Sequence, residues 1–92
     1  MQDDAFEWDD GKARSNLDKH KVSFELARLA FDDPDCIERD DPDPNEERTT
    51  RICRLGERIF VIVWIERADG VRIISARLAN KHEQRTYFER QR

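Results

Sequence analysis

The sequence predicts an α+β domain: two N-terminal helices, an antiparallel meander of about four strands, and a C-terminal helix. Three observations carry that prediction. Residues 24–31 repeat apolar side chains at helical spacing. The run IFVIVWI at 59–65 is unbroken by polar residues and lies between two turn signals. Beyond residue 80 the chain returns to a capped helical pattern. At 92 residues, the stretch 1–92 is expected to form one domain with a modest core.

The elements follow in order. FEW at 6–8 reads as a short extended segment, after which Asp9 caps a helix running to about His20. Ala13, Leu17 and His20 fall on one face of that helix. Ser23 is the cap of a second helix, whose stripe is Phe24, Ala27 and Phe31, widened by Leu26 and Ala30. Asp33 precedes Pro34, a position pushed away from helical angles, and so ends it. Cys36–Arg39 is expected as an edge strand, and DDPDPNEE at 40–47 as an exposed acidic loop. Arg48–Leu55 then turns through Gly56-Glu57, a type II′ pattern, into Arg58–Glu66. Asp69-Gly70 returns the chain along Val71–Leu78. Asn80 with Glu83 three residues on has the form of a capping box.

The strand IFVIVWI is apolar on both faces, whereas an antiparallel strand with one wet face would alternate. Both sides therefore need a cover, from the chain's own helices or from a partner chain. In RIISAR at 72–77, strict alternation places Arg72, Ile74 and Ala76 on one face and Ile73, Ser75 and Arg77 on the other.

The net charge of −4 conceals a split: residues 1–47 carry 16 acidic and 6 basic groups, and residues 48–92 carry 5 acidic and 11 basic. The second half thus admits a polyanionic partner, or the halves simply neutralise each other on folding. Cys36 and Cys53 lack metal-knuckle spacing and read as two free thiols. The acidic opening MQDDAFEWDD has no apolar core of a signal peptide, and the longest apolar run is too short to span a membrane. A soluble cytoplasmic protein is expected, with no cofactor and no metal, since no metal motif, phosphate loop or nucleophile elbow is present.

What remains is a set of single residues. His20 lies between two lysines at a helix end, suited either to acid–base work near neutrality or to capping the helix and packing on Leu17. Arg48 and Arg54 share a strand face that Arg51 does not. Each arginine can fork onto phosphate, or pair with one of the many carboxylates. Tyr87 and Trp64 can stack on a base or pack in the core, and Glu7 can be a base or an ion-pair partner.

FEWD at 6–9, Lys12, Asn16, KH at 19–20 and VSFE at 22–25, followed by EER at 46–48, RIISAR, Glu83 and Tyr87, resemble the BrnT family of toxins over nearly the whole chain. Two positions depart from the family pattern, which has glycine where Lys21 and Cys53 stand. The resemblance implies a fold similar to RelE and the microbial ribonucleases, with helices on one side of an antiparallel sheet. It also implies a metal-independent ribonuclease of a type II toxin–antitoxin pair that inhibits translation. Its partners would be RNA and a cognate DNA-binding antitoxin, in a hetero-oligomer that reaches DNA only through the antitoxin. On that reading His20, Arg77, Arg48 and Glu7 are catalytic, and Lys19, Arg54 and Tyr87 bind RNA. The competing reading is a catalytically inactive RNA- or partner-binding module on the same fold.

Overall fold

The apolar run at 59–65 forms the spine of the molecule. In the computed structural model, which describes residues 5–41, 44–68 and 70–91, the chain runs β1 (Phe6–Glu7), α1 (Asp10–His20), α2 (Phe24–Phe31), β2 (Ile37–Asp41), β3 (Arg48–Leu55), β4 (Arg58–Arg67), β5 (Gly70–Leu78) and α3 (Lys81–Glu89). The strands make one sheet in the order β1-β5-β4-β3-β2. The meander has the expected four antiparallel strands. A fifth, β1, adds to β5 in parallel through Phe6↔Val71 and Glu7↔Arg72, so the sheet is mixed.

Local signals set the helix ends. The Asp9 carboxylate accepts from the Lys12 amide at 2.9 Å, and the Ser23 hydroxyl accepts from the Leu26 amide at 3.0 Å. Asn80 and Glu83 close a reciprocal capping box on α3. Lys21, at the C-cap of α1, adopts φ 60°, ψ 27°, the left-handed conformation usually given to glycine. Gly56 (φ 63°) fits the first position of a type II′ turn between Leu55 and Arg58. Of the second turn signal, Asp69 lies outside the described residues. Arg67 pairs with Gly70, so the glycine opens β5 rather than sitting at the tip. A Cβ there would stand 2.5 Å from the Ala5 carbonyl oxygen, which accepts from the Val71 amide at 2.7 Å. Only glycine lets the N-terminal segment approach so closely.

The chain covers one face of β4 with α1 and α2, and on the other face α3 covers its first half and leaves the strand partly open at Val63. Phe60 and Ile62 face α1 and α2, in a core with Phe24, Ala27, Ala30, Phe31, Ile73 and Ala76. Ile59 and Val61 face α3, with Ile37, Ile52, Ala79 and Tyr87. The helices are thus not all on one side, a correction to the expectation drawn from family resemblance. A fully buried Phe60 or Ile62 contributes about 2–3 kcal/mol. Edge-to-face rings knit the first core: Phe6 on Phe31 at 5.0 Å, Phe31 on Trp64 at 5.3 Å. Trp64 is therefore a core residue, its indole N–H donating to Glu38 at 3.1 Å.

The face of α1 differs from its pattern. Leu17 is exposed and Asn16 is buried. β1 is two residues long, so among the described residues most of β5 has no strand outside it. Asn16 supplies what a strand would: its amide nitrogen donates to the Ala76 carbonyl at 2.8 Å and its oxygen accepts from the Ala76 amide at 3.1 Å. The same nitrogen donates to the Val22 carbonyl at 3.0 Å, fixing the turn after α1.

Candidate functional site

A β-bulge decides where the arginines of β5 point. Val63 pairs with Ser75 and Trp64 with Ile73, leaving Ile74 as an extra residue. Val63 and Trp64 are on opposite faces, so alternation on β5 is reset across the bulge. Arg77 stands beside Val61 and Arg72 beside Ile65, and both valine and isoleucine belong to the α3-side face. Arg72 and Arg77 therefore share a face. The expectation that strict alternation separates them is corrected: a single bulged residue shifts the phase.

Reading across that face gives two rows beyond the reach of α3. One holds Arg48, Ile65, Arg72 and Glu7; the other holds Arg39, Thr50, Val63 and Ser75. Strands spaced about 4.8 Å apart put the Cα atoms of Arg48 and Arg72 roughly 10 Å from one another. Thr50, Val63 and Ser75 form a partly exposed floor, and the arginines ring it. The guanidinium groups are balanced by carboxylates. Arg72 donates to Glu7 at 2.6 Å, and Arg48 to Glu46 at 2.7 Å. Arg77 forks onto Glu83 at 2.8 and 2.7 Å. Glu83 also accepts from the Asn80 amide at 2.8 Å. The Arg77 bond, above all, holds the Glu83 carboxyl below the usual range despite its burial, and Arg39 adds to the effect. Glu83 is thus an ionised acceptor at neutral pH.

Of the residues singled out in the sequence, this face gathers Glu7, Arg48 and Arg77. It adds Arg72 and Arg39, which sequence reasoning missed: the bulge hides one, and nothing marks the other among so many charges. Arg51 points to the opposite face, where it lies over the Phe31 ring at 4.3 Å and pairs with Glu38 at 2.9 Å. Lys19 is exposed on α1, and His20 is half-buried in its last turn, one turn beyond Asn16. No hydrogen bond or ion pair among the described residues joins His20 to Glu7 or Arg77.

Arg54 and Tyr87 belong elsewhere, at the end of the sheet beneath α3. Arg54 donates to the Gly56 carbonyl at 2.8 Å and lies over Phe88 at 5.6 Å. The Tyr87 hydroxyl donates to Asp33 at 2.6 Å. Only 2% of Tyr87 is exposed, so its ring is packed against the core and offers no face to a base. The stacking role expected for it is corrected on that ground. Both residues line a separate cleft of about 500 Å³ with Asp33, Asp35 and Gln91. Burial tends to raise the Asp33 carboxyl, but the bonds from Tyr87 and from the amides of Asp35 and Arg54 hold it low.

Among the described residues, no group of three or more His, Cys, Asp or Glu is placed to hold a metal ion. No helix among them is long and apolar enough to cross a membrane. A ring of forked cations over a small polar floor suits a phosphodiester, whose oxygens can replace the carboxylates as partners. In comparison with known proteins, a family described as "Ribonuclease toxin, BrnT, of type II toxin-antitoxin system" matches residues 8–83. No curated protein matches the chain.

Proposed function

We propose, since this chain belongs to the BrnT family of ribonuclease toxins of type II toxin-antitoxin systems, that it cuts RNA on the arginine-lined sheet face without a metal ion. The RNA 2′-oxygen attacks the adjacent phosphorus and the bond to the 5′-oxygen breaks, leaving a 2′,3′-cyclic phosphate and a 5′-hydroxyl. One group takes the proton from the 2′-hydroxyl, another gives one to the departing oxygen, and cations hold the charge gathering on phosphorus. The observation that carries this reading is the gathering of Arg48, Arg72 and Arg77 with Glu7 on one open face.

In this scheme Arg77 and Arg48 bind the phosphoryl oxygens, and Arg72 frees Glu7 to accept the 2′-proton as it turns to phosphate. His20 supplies the second proton carrier from the end of α1, and Lys19 steadies the RNA backbone. Arg54, at the far end of the sheet, contacts only a longer strand. The fold is of the RelE type, the target is RNA engaged in translation, and the site of action is the cytoplasm. A small DNA-binding antitoxin covers the toxin and represses their shared operon.

A second reading, an inactive RNA- or partner-binding module, is favoured by one observation: Arg48, Arg72 and Arg77 are each already paired with a carboxylate. Cleavage of RNA in excess EDTA by the purified chain, beside Arg77→Ala and His20→Ala, separates the two. The enzyme reading expects 5′-hydroxyl ends and a loss of roughly 10²–10³ in rate for each variant. Intact RNA after incubation with folded wild-type protein would leave only the binding module.

A further inference from the structure

The ladder between β2 and β3 begins at Ile37↔Ile52 and continues through Glu38↔Arg51. Continued one step outward, this register sets Cys36 opposite Cys53. The orientation of that step follows from a neighbouring bond. The Arg54 amide points out to the Asp33 carboxylate, on the β2 side of β3, at 2.8 Å. Backbone groups alternate along a strand, so those of Cys53 point the other way, toward β4. The continued register would place Cys36 and Cys53 at a non-hydrogen-bonded position, the kind whose side chains approach most closely, where Cα atoms typically stand about 4.5 Å apart. That is inside the usual span of a disulfide, about 4.4–6.8 Å.

Both residues face the first core. Cys53 is completely buried and Cys36 is half-exposed and packed against the same cluster. Cys36 is close enough to disfavour the Cys53 thiolate, and the Arg51 guanidinium acts on both thiols. Burial pushes Cys36 up and Cys53 up to about 12, while Arg51 opposes the rise at each. The reduced pair is therefore quiet, with Cys36 partly open to solvent and Cys53 buried in the same cluster.

We propose that Cys36 and Cys53 are an oxidation site that closes to an intramolecular, cross-strand disulfide on exposure to a small-molecule disulfide such as oxidised glutathione. The Cys36 thiolate attacks one glutathione sulfur, forming a mixed disulfide and expelling one glutathione thiolate. Cys53 loses its proton to solvent and attacks the Cys36 sulfur, and the second glutathione leaves as thiolate. The protein loses two electrons and two protons, and oxidised glutathione becomes two molecules of glutathione. The bond would close the segment carrying Arg39, Glu46 and Arg48, the rim of the arginine face on that side. It does not depend on RNA cleavage being the function.

The test incubates the folded protein with oxidised glutathione at mildly alkaline pH, then maps peptides without reduction and records thermal melting before and after dithiothreitol. A peptide joining Cys36 to Cys53 in monomeric protein is expected, with a melting temperature raised by roughly 10 °C and restored by the reductant. Cys53→Ser should stop at glutathione on Cys36, and Cys36→Ser should show neither adduct nor bridge. Wild-type protein that keeps glutathione on Cys36 with Cys53 still a thiol would overturn the proposal. So would a bridge that forms only in denaturant or between two chains.

Discussion

Replacing Asn16 by alanine should be among the most damaging single changes in this chain. Its side chain makes three buried bonds: to the Val22 carbonyl at 3.0 Å, to the Ala76 carbonyl at 2.8 Å and from the Ala76 amide at 3.1 Å. Removing it leaves one backbone donor and two acceptors without their partner. Each such group costs about 1–3 kcal/mol if water cannot reach it. A β5 edge flanked by helix admits some water, so the lower end of the range applies, and the expected loss is about 3 kcal/mol. For a domain of this size one kcal/mol corresponds to roughly 4–8 °C, which predicts a melting midpoint lower by roughly 12–24 °C. Asn16→Leu, similar in volume but unable to bond, should lose about as much. The assay is urea denaturation at constant slope, paired with hydrogen exchange at the Ala76 amide, which should lose its protection in both variants. A loss below about 1 kcal/mol, with the Ala76 amide still protected, would refute the idea that this amide stands in for a strand.

Three other outcomes follow from the same geometry. Lys21→Gly removes a left-handed lysine, and although the freer glycine loses more entropy on folding, the change should stabilise the fold by about 0.5–1 kcal/mol; a lower urea midpoint would count against it. Glu83, whose ordinary value is 4.5, and Asp33 titrate low in the folded state. Their contribution to stability is present above the ordinary carboxyl range and disappears as pH falls through the lower folded values. Glu83→Gln should therefore be less stable at pH 7 by about 1 kcal/mol and show a shallower acid limb in thermal melts from pH 7 to 3, whereas an unchanged limb would contradict the Arg77 fork as its cause. Arg72→Ala and Arg77→Ala should each weaken the binding of single-stranded RNA and reduce its log–log salt slope by about 0.7, while Arg14→Ala on α1 should not. Fluorescence anisotropy across a salt series reads this directly, and equal slopes for Arg72→Ala and wild type would remove Arg72 from the RNA face.

The parts of this fold that were legible in the sequence are those with local causes. Asp9, Ser23 and Asn80 are caps because their side chains bond amides three residues away, whatever the rest of the chain does. The two-faced apolar strand announced two covers, although not that α3 would be the second. What stayed hidden was set at long range. The parallel pairing of β1 joins residues 65 apart in sequence. The bulge at Ile74 depends on how β4 and β5 settle against each other, and no residue type there requires it. Asn16 is buried and Leu17 exposed because a strand edge needs a polar partner more than the core needs another leucine. At the site, the residue types were legible and their grouping was not. Glu7, Arg48 and Arg77 share a face only through the register of four strands, Arg72 joined them through the bulge, and Tyr87 was claimed by Asp33.

The two rims of the sheet carry a consequence for how the molecule meets other chains. A free strand edge is a template onto which a foreign strand can zip, the first step toward aggregation. On one side the exposed length of β5 is stopped by the Asn16 amide at Ala76, which occupies the very groups a newcomer would need. On the other, β2 reads Ile-Glu-Arg-Asp-Asp, with four of its five residues charged, so an added strand would have to approach a charged border. Strand addition is discouraged at both rims, and a protein that grips this sheet must do so across its face.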